Sequence, residues 1–167
     1  MCLRQSDKNK GIRTTTQFLY SDPDLIYDRP PHIVKFHTTN YSLSLNEFSL
    51  VNVHLRPTAV VNESLALKNV VDEYKRLTNE SNIAILGDMN FDCSYCSNKN
   101  KDLVRSELSD FKFYISDKVA TTVSVTSCAY DRILVTGEKF NNAIVKFSNK
   151  TFRYDVEYGM TIEEVHF

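Results

Sequence analysis

Four apolar residues, Ile83-Ala84-Ile85-Leu86, follow one another without a polar break and stop at Gly87. A run of that length closed by glycine predicts a strand buried on both faces. Residues 48–54 alternate instead. Phe48, Leu50, Asn52 and His54 fall on one face, and Ser49, Val51, Val53 and Leu55 on the other, so a strand is predicted that ends at His54 and is closed by Pro57. Between the two, Leu67, Val70, Val71, Tyr74 and Leu77 recur at helical spacing behind Asn62, a good N-cap. A helix over 63–77 follows, exposing Glu73, Lys75 and Arg76. Further strands are expected near 33–36, 132–136 and 143–147, and a hairpin connection over 40–46. A polar loop is expected over 96–102, and 103–115 carries no assignable pattern. Residues 154–167 read as loop plus a short helical turn. Residues 1–17 read as a disordered polar arm, leaving 18–167 as the domain. Strand, helix and strand followed by antiparallel strands make an α/β (α+β) fold with a mixed sheet.

That order of elements places chemistry. A strand–helix–strand crossover makes its two strands parallel, so His54 and Asp88 should emerge at one edge of the sheet. Asp131 stands just before a β-branched run, and if that strand is antiparallel to 83–87 its start lies at the same edge. The C-terminal edge of a central strand is where α/β sheets place their sites. A strand-end histidine is often structural, but imidazole as a chemical type suits proton transfer. Gly87-Asp88-Met89-Asn90 is good turn chemistry. It is also a carboxylate for a hard cation beside an amide for a phosphate oxygen.

Composition narrows the class. With 42% apolar and 25% charged residues over 167 positions, the chain is one globular domain with a real core. The formal net charge of −1 offers no basic surplus for passive coating of nucleic acid. No apolar run approaches the ~18 residues of a membrane span. Residues 1–13 lack the apolar stretch of a signal peptide, which taken alone says cytosolic. Four glycosylation sequons, at Asn40, Asn62, Asn79 and Asn149, point outward instead. Cys93-Ser94-Tyr95-Cys96 spells CxxC, but a zinc site would have only Cys2 and Cys128 to complete it, and a thioredoxin motif needs another context.

Gly87-Asp88-Met89-Asn90, Cys93-Ser94-Tyr95, Thr121-Thr122 and Cys128-Ala129-Tyr130-Asp131-Arg132-Ile133, in this order and with His54 upstream, resemble the second half of a deoxyribonuclease I family protein. That family belongs to the endonuclease/exonuclease/phosphatase superfamily. The resemblance covers roughly residues 28–160. It implies part of a four-layer α/β/β/α sandwich and metal-dependent hydrolysis of phosphodiesters in double-stranded DNA, without strict sequence preference and leaving 5′-phosphates. By resemblance His54 transfers the proton, Asp88 holds Mg²⁺ or Ca²⁺, and Arg29, Asn90 and Tyr95 contact the substrate and its phosphate. Asp131 orients an imidazole. Thr122, Ser124 and Thr126, which alternate and so share a face, correspond to a backbone-contacting, calcium-holding segment. The family also joins the equivalents of Cys93 and Cys128 in a disulfide, which implies a secretory compartment and leaves Cys96 extra.

The sequence departs from the family in three places. The Ser-Asp-His motif that supplies the imidazole for Asp131 does not occur, and His166 does not match it. The early strand with a metal-binding glutamate has no counterpart. Ala120 stands where the calcium segment has an acidic residue. The chain by itself is therefore expected to be an impaired or inactive endonuclease. The alternatives are a non-catalytic remnant or binding module built on the same fold, and a phosphatase of the same superfamily acting on lipids or inositol phosphates.

Overall fold

A computed structural model describes residues 11–39 and 45–165. Six strands form one mixed sheet in the order β1-β2-β3-β4-β6-β5. They are β1 (Ile12–Leu19), β2 (His32–Thr38), β3 (Glu47–His54), β4 (Ile83–Asp88), β5 (Lys112–Phe113) and β6 (Asp131–Thr136). Only β3 and β4 run parallel, and α1 (Val60–Thr78) crosses between them. The other pairs are antiparallel. The chain is α+β, as its periodicities predict.

The two faces of the sheet differ. Ile33, Val51, Val53, Ile83, Ile85 and Leu134 point to one side and pack against Leu67, Val70 and Val71 of α1 and Val104 of α2 (Asn98–Glu107). Tyr74 of α1 reaches into this layer and its hydroxyl meets Ser49 Oγ at 2.9 Å. On the other side, register aligns Val34, Leu50, Ala84 and Val135 in one row and Phe36 beside Phe48 in the next. Among the described residues, the side chain seen stacking on this second face is Phe140 of α3 (Glu138–Ala143), edge-on to Phe48 at 5.4 Å. The described residues thus form two layers, one sheet and the helices on it.

Several sequence expectations need correction. Residues 12–17 are not an arm but most of edge strand β1, whose side chains are almost all exposed. Its threonines favour a pleated surface without producing apolar alternation. Residues 1–10 lie outside the described part. So do residues 40–44, most of the expected hairpin connection, and His166. Helix α1 begins at Val60 behind a 3-10 turn at Pro57–Ala59, so Asn62 lies inside the first turn and caps nothing. Leu77 is exposed, so the buried stripe of α1 ends at Tyr74. The polar loop expected from 96 is α2 from residue 98, with Ser97 as its N-cap accepting from Asn100 N. Its stripe is narrow, only Lys101 and Val104 being buried. The strand expected at 143–147 is absent among the described residues. Helix α3 ends at Ala143, the chain beyond it is irregular, and Val145 and Phe147 are exposed.

Candidate active site

The site is built on three strand ends. His54 of β3 pairs with Asp88 of β4, and Asp88 pairs with Asp131 of β6, so the three residues stand in one row at one edge. His54 Nε2 faces Asp88 Oδ2 at 3.9 Å, too long for a direct hydrogen bond but within ion-pair range. The backbone closes the edge: Leu55 N donates to Asp88 O at 2.9 Å, and Met89 N donates to Tyr130 O at 3.0 Å.

Gly87 makes the approach of β3 and β4 possible. Its φ is +142°, and a Cβ there would lie 1.9 Å from Val53 O. No residue with a side chain fits that position without separating the strands.

After Asp88 the chain turns. Asp88 Oδ1 accepts from Asn90 N at 2.9 Å, and Asn90 takes a positive φ of 49°. Asn90 Nδ2 donates to Leu55 O at 2.8 Å, which holds the carboxamide beside Asp88. The turn and the site are one arrangement: one amide hydrogen is spent on the scaffold, and the carboxamide's other capacity stays with the reactive edge.

Asp131 is half-buried. Burial first, and then the charge of Asp88, raises its carboxyl pKa above the usual carboxylate range, against a lowering by the Thr121 hydroxyl. Two carboxylates side by side on paired strands favour a cation between or beside them. Among the described residues no three or more His, Cys, Asp or Glu side chains are grouped to hold a metal ion. Asp88 is a carboxylate of the kind that hard cations take, and its Oδ1 also accepts from Asn90 N.

Arg29 reaches the same edge from the segment before β2. Its Nη1 lies 3.4 Å from His54 O and 3.7 Å from Asp28 Oδ2, an exposed pair that leaves the guanidinium free to move. Glu63 in the first turn of α1 places this segment. Its carboxylate, buried, accepts from Asp28 N at 3.2 Å and Arg56 N at 2.8 Å. Sequence reasoning passed over Glu63, for which an acidic residue in a helix's first turn was the available signal.

Beyond Asp131, Tyr95 and Tyr130 pack at 5.4 Å between ring centroids. Tyr130 also escaped the sequence-derived site. Burial, Tyr95 and the nearby Asp92 and Asp88 raise its pKa, so its hydroxyl keeps its proton at neutral pH. Cys93 and Cys128 are joined in a disulfide with Cα atoms 5.8 Å apart, and Cys96 is a free buried thiol.

Thr122, Ser124 and Thr126 do not form an extended face. They lie in a loop and bond to one another. Thr122 Oγ1 contacts Thr126 O at 3.2 Å and accepts from Cys128 N, while Ser124 Oγ meets Thr126 Oγ1 at 2.9 Å. The hydroxyls hold the loop itself, and with Ala120 in place of a carboxylate the segment does not fit a calcium ion. Of the sequons, Asn62, Asn79 and Asn149 are exposed, though Asn149 Nδ2 donates to Tyr114 O. Among the described residues no helix is long and apolar enough to cross a membrane.

No family model matches the chain. Curated relatives do. The chain is 32% identical to deoxyribonuclease-1 of Bos taurus over 138 residues, covering 82% of this chain and 48% of that protein. It is 36% identical to deoxyribonuclease-1 of Mus musculus over 136 residues, covering 81% and 47%. With deoxyribonuclease-1-like 2 of Mus musculus it shares 31% over 144 residues, covering 86% and 51%. The chain spans about half the length of the curated relatives it matches. Among solved structures it overlays on a mannosyl-6-phosphatase of Bacteroides thetaiotaomicron at 14% identity and a TM-score of 0.47, covering 77% of this chain and 54% of that one. An endonuclease/exonuclease/phosphatase of Bacteroides vulgatus gives the same identity and score, covering 77% and 56%. The sequence likeness carries the comparison: the curated homologues of this chain are deoxyribonucleases-1.

Proposed function

We propose that this chain presents the phosphate-binding and proton-transfer edge of a DNA phosphodiesterase of the deoxyribonuclease I kind. The observation that supports it is the row His54–Asp88–Asp131, set in register at one sheet edge with Arg29 and Asn90 beside it. Arg29 presents a planar fork to a phosphate, the geometry that guanidinium binds best. The Asn90 carboxamide would donate to a phosphoryl oxygen, and the Tyr95–Tyr130 pair would border the DNA backbone. His54, half-exposed and facing Asp88, moves the proton at the attacking or departing oxygen. Asp88 would hold Mg²⁺ or Ca²⁺, which would neutralise charge developing on the phosphoryl oxygens. Asp131, with its raised pKa, is suited to hold a neighbouring imidazole or water. The disulfide and the deoxyribonuclease relatives favour a secreted protein.

The same residues set a limit. His54 is the single imidazole in that row, and no third acidic side chain joins Asp88 and Asp131 there among the described residues. Residues that act as a unit lose activity steeply when one is missing. The isolated chain should therefore bind a DNA phosphodiester in a metal-dependent way and hydrolyse it poorly.

Two measurements on purified protein test this. In fluorescence anisotropy with labelled duplex DNA and Mg²⁺ or Ca²⁺, the parent should bind, and Arg29→Ala and Asp88→Asn should each weaken binding. Binding that ignores both the metal and Asp88→Asn would overturn the site and favour a remnant with another use. In a plasmid-nicking assay the parent should stay near background. Robust nicking that His54→Ala abolishes would keep the site and overturn the impairment.

A further inference from the structure

Beneath the reactive edge lies a cluster of charges, with Lys101 and Arg132 buried at its centre, that the proposed chemistry does not use. Lys101 of α2 is 5% exposed. Its Nζ sits 2.8 Å from Asp92 Oδ1 and 3.5 Å from Asp117 Oδ2. Asp117 Oδ1 in turn takes Arg105 at 2.7 Å and the fully buried Arg132 at 2.8 Å. Arg132 donates to the carbonyls of Phe91 at 2.9 Å and Ile115 at 2.8 Å. The other oxygen of Asp92 accepts from Ala129 N at 2.8 Å, one residue past Cys128 and two before Asp131.

One ammonium thus gathers three stretches: the Asn90–Asp92 turn after β4, the 115–117 loop after β5, and the lead-in to β6. The site does not draw on these stretches loosely, since they carry Asn90, Tyr130 and Asp131. The carboxyl pKa values report the same clamp. Burial pushes Asp92 up, but Lys101 and the Ala129 and Cys93 amides pull it below the usual carboxylate range. Burial likewise pushes Asp117 up, and Arg105, Arg132 and Lys101 outweigh it and pull the carboxyl below the usual range.

Two carboxylates from different loops closing on one buried positive point is how hard cations pin loops. In this chain the charge is covalently part of a helix. The nearby 120–126 segment, which does not fit a calcium ion, leaves that task open.

We infer that Lys101 is a built-in structural cation: it positions the Asn90 turn and the Asp131 lead-in through Asp92, and the reactive edge needs no structural calcium to keep its shape. The positioning is read from the fold alone. Its value to hydrolysis rests on the function proposed above.

The test is amide hydrogen exchange on the full disulfide-bonded chain, which needs neither DNA nor turnover and so stands apart from the nicking result. In Asp88→Asn, which removes the carboxylate proposed to hold the metal, exchange at Ala129 and over 89–96 should be the same in EDTA and in excess Ca²⁺. Lys101→Met should speed exchange at Ala129, over 89–96 and over 115–117 by roughly tenfold or more, while the β1–β2 pair keeps the parent rate. Lys101→Arg should restore most of the protection, and Lys99→Met, on the exposed side of α2, should change nothing. Protection of Asp88→Asn that rises with Ca²⁺ overturns the inference. So does Lys101→Met behaving like Lys99→Met. Should Lys101→Met not fold, Asp92→Asn replaces it. It keeps an acceptor for Ala129 N but removes the charge facing Lys101, and must loosen the same stretches for the inference to hold.

Discussion

Replacing Gly87 by alanine should open the reactive edge without touching any side chain that belongs to it. An alanine Cβ would lie 1.9 Å from Val53 O, whereas ordinary contact begins at 3.4 Å. The β3–β4 ladder must therefore part by about 1.5 Å at the step before His54 and Asp88, enough to break the hydrogen bonds on either side. Two ladder bonds lost at about 0.5–1.5 kcal/mol each, and an L-residue held at φ near +142° at about 1–3 kcal/mol, sum to about 4 kcal/mol. For a chain of this size that lowers the thermal midpoint by roughly 8–16 °C. Differential scanning calorimetry reads the midpoint, and anisotropy with duplex DNA reads the edge. Both should deteriorate together. A Gly87→Ala protein that melts within ~2 °C of the parent and binds as well would refute the close approach and the argument that His54 and Asp88 depend on it.

Opening the Cys93–Cys128 disulfide, by reduction or by paired alanines, releases two points 35 residues apart and should cost about 4 kcal/mol in the chain-entropy model. A midpoint unmoved by reduction would contradict this. Glu63→Gln leaves one of the two amides, Asp28 N or Arg56 N, facing an NH₂ group, and should cost about 1–3 kcal/mol in urea unfolding while weakening DNA binding through Arg29. Asp92 and Asp117 have folded pKa values below their unfolded ones. The stability they give is present above roughly pH 4–5 and is lost as pH falls through the lower folded values, so urea midpoints should drop steeply in acid. Asp131 works the other way. Its raised pKa means that its ionisation opposes folding as pH rises, so Asp131→Asn should melt no lower than the parent at neutral pH.

The edge was legible because it follows from topology. Once Ile83–Leu86 is a central strand and 63–77 a helix, the crossover forces His54 and Asp88 together, and the β-branched run after Asp131 adds the third strand. The disulfide came from the family resemblance, since the cysteine spacing alone left several pairings open. What escaped the sequence has physical reasons. β1 is an edge strand with wet faces, so burial imprinted no alternation on Ile12–Leu19. Helix α2 buries a lysine where the pattern would call for an apolar residue, because Asp92 and Asp117 neutralise it, and so its stripe reads as loop. Thr122, Ser124 and Thr126 alternate like a strand but satisfy one another locally, which a periodicity argument does not detect.

The sheet's uneven cover has a consequence for how the protein unfolds. Phe36, Phe48, Leu50, Leu86 and Ile133 on the second face are only half-buried while the structure is intact. Part of the apolar area that folding ordinarily hides is therefore already hydrated in the native state. Unfolding adds correspondingly less new surface than it would in a chain of similar length with both sheet faces covered. The denaturant slope and the heat-capacity increment scale with that newly exposed area. Both should fall below the values expected for the chain's length, giving broad urea and thermal transitions and a stability curve that stays shallow across temperature.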